Sequence, residues 1–461
     1  MRHKYLEMLR RATVAVSAAL LSCTIDHGAA APLAPQNCNV TAPDTPVTPA
    51  LLTSGLPCKA QFVSPFTLEN LQHGFDFYSW LTFLALNSPN DGKTVIGKGH
   101  SVAGDAPTIW ETWKDIDSVM RADGSPPTSW GSPTPIPAVC KDLFEPGMAV
   151  VSMVGKTPNV LSAISEPFKT GPLIDQNGNY TRFDILMNKT MFDHIVANQL
   201  YNKIGQKKVS GVVDFPAATV PKKPFVSKTA LGTVGSIMIK LAWKVMGPGD
   251  SLARFHTLAA LIYTKPVAGT SMSVKETCHK ATLGLVGMHI AHKFDSDPEW
   301  IWSSFEQVDN VPSQAEVEAG HLNAHYNYFN PNCSGCKVNE PPPRPWDPNV
   351  QPFPRGFRSQ ITRVIPLSDE SIGMSRSFQA ILRGTVWENY MLVSTQWPTD
   401  AGSKTDPTGR PAPTFLANTT AETYIQGTVP QASSNCIGCH NNATTTTGKF
   451  SDFTYILENA H

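Results

Sequence analysis

The chain has 461 residues, 41% of them apolar and 16% charged, with 39 prolines and with 37 basic residues against 37 acidic ones. Such a length allows one large body or two to three domains around a sizeable core, and zero net charge gives no electrostatic footprint for nucleic acid or an anionic membrane surface. Charged residues fall below the about 25% of an average soluble domain, and together with the prolines this points to an exported, loop-rich protein.

The N-terminus fits export. Arg2, Lys4, Arg10 and Arg11 precede an apolar run, Ala12 to Leu21, that is too short to span a bilayer, and Ala29-Ala30-Ala31 follows. Residues 1–31 therefore read as a signal peptide cleaved after Ala31, giving a periplasmic or secreted protein. A lipoprotein anchored at Cys23 is the alternative, because Leu20-Leu21-Ser22-Cys23 loosely resembles a lipobox. No later run of 18 apolar residues exists, so no membrane span is expected in the mature chain. The remaining cysteines are even in number, which favours disulfides in an oxidising compartment. Cys38, Cys58, Cys140 and Cys278 stand alone in sequence and can pair in more than one way; Cys38–Cys58 would clip the Pro-rich arm at 32–66.

An α+β body is expected over 67–340. Apolar Leu71, Phe75, Tyr78, Leu81, Leu84 and Ala85 recur at helical spacing from Leu68 to Leu86. Phe77, Trp80 and Phe83 make this helix apolar nearly all round, which predicts burial in a core. Ile109 to Lys114 is a second aromatic node, and residues 121–148 read as loop. A helix is predicted over Lys189–Lys203, with His194 on it. Strand-like runs follow at Ser236–Val245, Arg254–Thr264, Thr282–Lys293 and Trp300–Gln307, closely spaced enough for an antiparallel sheet. His256, His289, His292, His321 and His325 fall in or after this block. Alternation puts His289 on one strand face with Leu283 and Leu285, and His292 on the other with Met288 and Ile290. His321 and His325 have the i, i+4 spacing of one helix face.

Cys333-Ser334-Gly335-Cys336-Lys337 fits a local disulfide staple, or a metal site completed by His321 or His325. Residues 341–357, from Pro341-Pro342-Pro343 onward, read as a Pro-rich hinge. Beyond it, 358–461 reads as a small, mainly helical segment. It holds a helix at Ser368–Arg383, a strand at Thr385–Gln396, a short helix at Phe415–Ile425 and a last helix, Asp452–Ala460, capped by Ser451. Phe453, Ile456 and Leu457 would form the apolar face of that last helix.

Between these last two elements lies Cys436-Ile437-Gly438-Cys439-His440. Two thiols at this spacing reach the two vinyl groups of one porphyrin, and the adjacent imidazole falls under the iron as an axial ligand. The pentapeptide resembles the attachment motif of c-type cytochromes. The resemblance implies one haem c, thioethers at Cys436 and Cys439, and His440 as proximal iron ligand. It covers about five residues, or about thirty with the closing helix, and departs from the small cytochrome c pattern. There the motif sits near the start of the domain and a methionine well downstream supplies the sixth ligand; here no Met follows His440. A distal ligand would come from upstream, with Met374, Met391, His289, His292, His321 and His325 as candidates. Some multihaem reductases attach a catalytic haem through Cys-x-x-Cys-Lys, which makes Cys333, Cys336 and Lys337 a candidate second haem site.

Three functions are compatible with these residues. One is periplasmic electron transfer through haem c, exchanging electrons with a redox partner protein or a small-molecule donor or acceptor. Another is a haem-dependent peroxidase or oxygenase, with the α+β body forming the substrate cleft. The third is an exported structural or binding protein in which Cys436/Cys439 is a disulfide. No Gly-x-Ser-x-Gly elbow, His-Glu-x-x-His or nucleotide-binding loop supports an enzyme of another kind.

Overall fold

The computed structural model describes residues 42–53, 55–91, 96, 106–152, 171–219, 232–265, 275–294, 296–343, 356–399, 410–427 and 434–461. The signal-peptide reading, Cys23, Cys38 and most of the Pro-rich hinge lie outside the described residues.

In chain order the elements are α1 (Leu68–Leu86), β1 (Lys114–Asp115), α2 (Ile116–Val119), β2 (Ala149–Val151), β3 (Arg182–Met187), α3 (Lys189–Ala197) and α4 (Lys203–Gln206). There follow β4 (Ile237–Val245), β5 (Thr257–Thr264), β6 (Thr277–His292), β7 (Ile301–Gln307) and α5 (Gln314–Ala319). The C-terminal part adds α6 (Asp369–Ile381), β8 (Tyr390–Pro398), β9 (Pro411–Ala412) and α7 (Cys436–His440). The strands form one sheet in the order β1-β3-β4-β6-β7-β8-β9, with β5 on β6 and β2 on β5. Every pairing is antiparallel except β2 with β5. The fold is thus α+β, built on a large antiparallel sheet.

One sheet face carries the aromatic core. Thr67 caps α1 by accepting the Asn70 amide at 3.2 Å, and the helix is buried continuously from Gly74 to Leu86. Trp80 stacks on Phe378 of α6 at 4.9 Å, and Phe83 stacks on Phe305 of β7 at 4.3 Å. Each such burial removes enough apolar surface from water to contribute about 2–3 kcal/mol. The opposite face carries a second cluster, in which Phe183, Met238, Val286 and Trp302 meet Ile437, Phe453, Ile456 and Leu457 from the C-terminus.

A bulge decides which side chains reach which face. Ala242 pairs with Gly287 but Trp243 pairs with Leu285, so Val286 is an extra residue in β6. Leu283 and Leu285 therefore join Met288 and Ile290 in the aromatic core, and His289 does not share their face as uninterrupted alternation predicts. His289 and His292 still point to opposite sides.

The C-terminal stretch is not a separate, mainly helical segment. Its β8 pairs with β7 over six residue pairs, and α6 packs its Phe378 into the aromatic core. The helix expected at Phe415–Ile425 is reduced to one 3-10 turn, Thr423–Ile425, and the last helix to another, Tyr455–Asn459. The helix expected over Lys189–Lys203 breaks at Asn198, after which Gln199 adopts φ +54°. Among the described residues no helix is long and apolar enough to cross a membrane.

Candidate functional site

Cys436, Cys439 and His440 lie together on α7, one turn of helix set on the sheet face opposite α1. Asn435 starts that turn, its side chain accepting the Gly438 amide at 2.8 Å while its carbonyl accepts the Cys439 amide at 2.9 Å. Ile437 is the anchor. It is completely buried, and its amide donates to Gln396 Oε1 of β8 at 2.9 Å. Gln396 is itself fixed by donating to the Pro413 carbonyl at 2.8 Å. With Ile437 pinned inward, the helix holds both half-buried sulfurs and the imidazole within one turn.

The imidazole is oriented by backbone. His440 Nδ1 lies 2.8 Å from the Phe453 carbonyl oxygen. A carbonyl only accepts, so Nδ1 carries the hydrogen, and the neutral ring in this orientation is the tautomer an Nε2-bound metal requires. Trp302 of β7 packs on the ring at 4.4 Å between centroids, and Tyr455 lies at 5.3 Å. The Tyr455 hydroxyl donates to the Cys439 carbonyl at 2.8 Å. Burial, and then the Cys439 and Glu458 charges, push that phenol up to about 12, so it keeps its donor hydrogen at neutral pH.

Behind the Phe453 carbonyl stands a buried ion pair. Asp452, 4% exposed, accepts the Phe215 amide at 2.7 Å and the Trp300 indole at 3.2 Å, and pairs with Lys293. Lys293 also reaches Asp214 at 2.6 Å. Burial raises the Asp452 carboxyl above its ordinary range, against the opposing pull of Lys293. Asp452, Gln396, Trp302 and Tyr455 have no signature in the sequence; residues distant along the chain bring them to the motif.

The proposed distal ligands are dispersed. Met374 belongs to the aromatic core on the far face of the sheet. Met391 is on β8, five residues before Gln396 and so roughly 17 Å along the strand. His292 is buried with α1, its Nδ1 against the Tyr78 hydroxyl and its Nε2 2.5 Å from the Val234 carbonyl; burial lowers it to about 4. His321 and His325 do not share a helix face: α5 ends at Gly320 with φ +69°, and both residues are exposed beyond it. His289 alone of the four histidines lies on the sheet face that α7 covers, its Nε2 3.4 Å from a Glu422 carboxylate oxygen.

Cys333 and Cys336 are joined in a disulfide on an exposed loop, and Lys337 pairs with Glu340 at 3.1 Å. While so bonded, these sulfurs form neither a thioether to haem nor a metal thiolate. Cys140 and Cys278 form a second disulfide, and Cys58 is also disulfide-bonded. Among the described residues no group of three or more His, Cys, Asp or Glu side chains is placed to hold a metal ion. No protein-family model, curated protein or solved structure matches this chain.

Proposed function

We propose that this chain is an exported c-type haem protein that passes electrons through one haem c in the periplasm, attached at Cys436 and Cys439 with His440 as axial ligand. The observation that carries this reading is the contrast among the cysteines. Cys58, Cys140, Cys278, Cys333 and Cys336 are disulfide-bonded, whereas Cys436 and Cys439 remain thiols on one helical turn beside an oriented imidazole. Two thiols and a histidine on one helical turn are the donor set that haem c needs. The group would supply a one-electron couple. The chain's own work is to hold it. Asn435 and Ile437 fix the helix, the Phe453 carbonyl holds the Nδ1 hydrogen, and Trp302 and Tyr455 restrict the ring's rotation.

Expression with the haem-c maturation machinery, followed by intact mass and pyridine haemochrome absorption, tests the proposal. One covalent adduct is expected, lost in Cys439→Ala. A wild-type chain without adduct, or a Cys439→Ala chain that keeps it at full stoichiometry, would overturn the assignment. Two adducts would restore Cys333/Cys336. A Soret band that shifts with cyanide or peroxide would favour the peroxidase or oxygenase reading over electron transfer.

A further inference from the structure

Away from α7, on the aromatic-core side of the sheet, one cation lacks every partner it should have. Arg182 opens β3, is 1% exposed, and makes no hydrogen bond through Nε, Nη1 or Nη2. Its guanidinium carbon lies 5.7 Å from the centroid of the Tyr180 ring. Directly across the ladder stands Trp243 of β4, the register partner of Arg182. Trp243 is completely buried, and its indole Nε1 also has no acceptor. Register partners project to the same face with Cβ atoms about 5 Å apart. Two unsatisfied buried donors, one of them charged, are therefore neighbours.

Their cost is large. A lone buried charge loses several kcal/mol of solvation, and such groups in folded proteins are as a rule paired. Among the described residues no side chain supplies the counter-charge. Asp184 is two residues along the same face of β3 but does not bond to Arg182. Its carboxyl is instead raised well above the ordinary range by burial and by Asp115 and Asp117. His279 is held below its ordinary value by burial and then by the Arg182 charge.

We propose that Arg182 and Trp243 form a buried binding site for a small planar monoanion bearing a carboxylate. One cation calls for one negative charge. The fork of a guanidinium matches the two oxygens of a carboxylate, and the indole N–H supplies a third donor. A dianionic phosphate or sulfate would bring an uncompensated charge into the same apolar surroundings. Tyr180 and Trp243 offer aromatic walls that suit a short hydrocarbon tail.

Acetate is the probe. The full-length chain is melted in sodium acetate and in sodium chloride at matched pH and ionic strength. A ligand that binds only the folded state raises the melting midpoint in proportion to its occupancy. Acetate should raise it saturably and chloride should not. Arg182→Met should weaken the acetate response at least about tenfold, and Trp243→Phe, which keeps the aromatic volume, about three- to tenfold. If Arg182→Met does not fold, Trp243→Phe decides. The site is overturned if wild type shows no saturable response beyond chloride, or if Trp243→Phe responds like wild type.

Discussion

His440 is held by a carbonyl that other side chains must place, and the placing is done against backbone preference. Asp452 and Phe453 have φ of +55° and +61°, the left-handed region that costs a non-glycine residue of order 1 kcal/mol or more. The Asp452 carboxylate offsets this by accepting two hydrogen bonds and the Lys293 charge. Asp452→Asn keeps the shape but leaves Lys293, 1% exposed, with Asp214 alone as counter-ion. The expected loss in urea unfolding is about 3 kcal/mol. Asp214→Asn, at a carboxylate 49% exposed, should cost less than about 1 kcal/mol. Equal losses in the two variants would show that Asp452 does not carry the turn. Asp452→Asn should also move the His440 Nδ1–H resonance while Asp214→Asn leaves it unchanged. The motif itself is legible in sequence because its two cysteines and its histidine lie within five consecutive residues. Asp452 is not, because Phe-Ser-Asp-Phe reads equally well as the start of a helix, and only the distant Lys293, Trp300 and Phe215 turn it into a buried anchor.

At the scale of elements, what the sequence shows is what periodicity records. α1 spans Leu68–Leu86 as its apolar spacing predicts, and β4, β5 and β7 fall within the alternating runs. β3 is missed because Arg-Phe-Asp-Ile-Leu-Met buries side chains on both faces and so does not alternate. The bulge at Val286 is missed because one inserted residue leaves composition unchanged while moving every preceding side chain of β6 to the other face. The bulge is followed by Gly287, where the segment 418–422 comes down onto the sheet. This segment is tied by Glu306, which accepts from the Thr419 amide at 2.7 Å and pairs with Arg363 at 2.8 Å. A Cβ on Gly287 would stand 2.2 Å from Thr420 Oγ1, a buried hydroxyl already bonded to Asn418 Oδ1 at 2.7 Å. Gly287→Ala should therefore cost about 1–3 kcal/mol through overpacking. Adding Thr420→Ala removes the atom in conflict and should restore part of that loss, a non-additivity that thermal melts of the two single variants and the double variant would reveal. Strict additivity would mean that the segment does not rest on Gly287.

For the whole molecule, the cysteines divide by how much chain they bind together. Compartment and even number predict disulfides, but only the fold shows that Cys140 is brought to Cys278 across 138 residues, whereas Cys333 and Cys336 are three apart. The first bridge ties the loop after α2 to the start of β6. The β7–β8 pairing, in turn, joins the stretches on the two sides of the Pro-rich hinge. In the chain-entropy picture, the cross-link acts by restricting the unfolded state and grows with the loop it closes: about 5 kcal/mol for the long bridge and about 2 kcal/mol for the short one. The double variant Cys140→Ser/Cys278→Ser should accordingly unfold at markedly lower urea than Cys333→Ser/Cys336→Ser, with the gap near 3 kcal/mol when both are compared with the oxidised wild type. A reductant added to wild type should reproduce the sum of the two losses, augmented by whatever the Cys58 bridge contributes. Equal destabilisation by the two double variants would contradict the loop-length account, and would place the weight of these bridges on local contacts in the folded state.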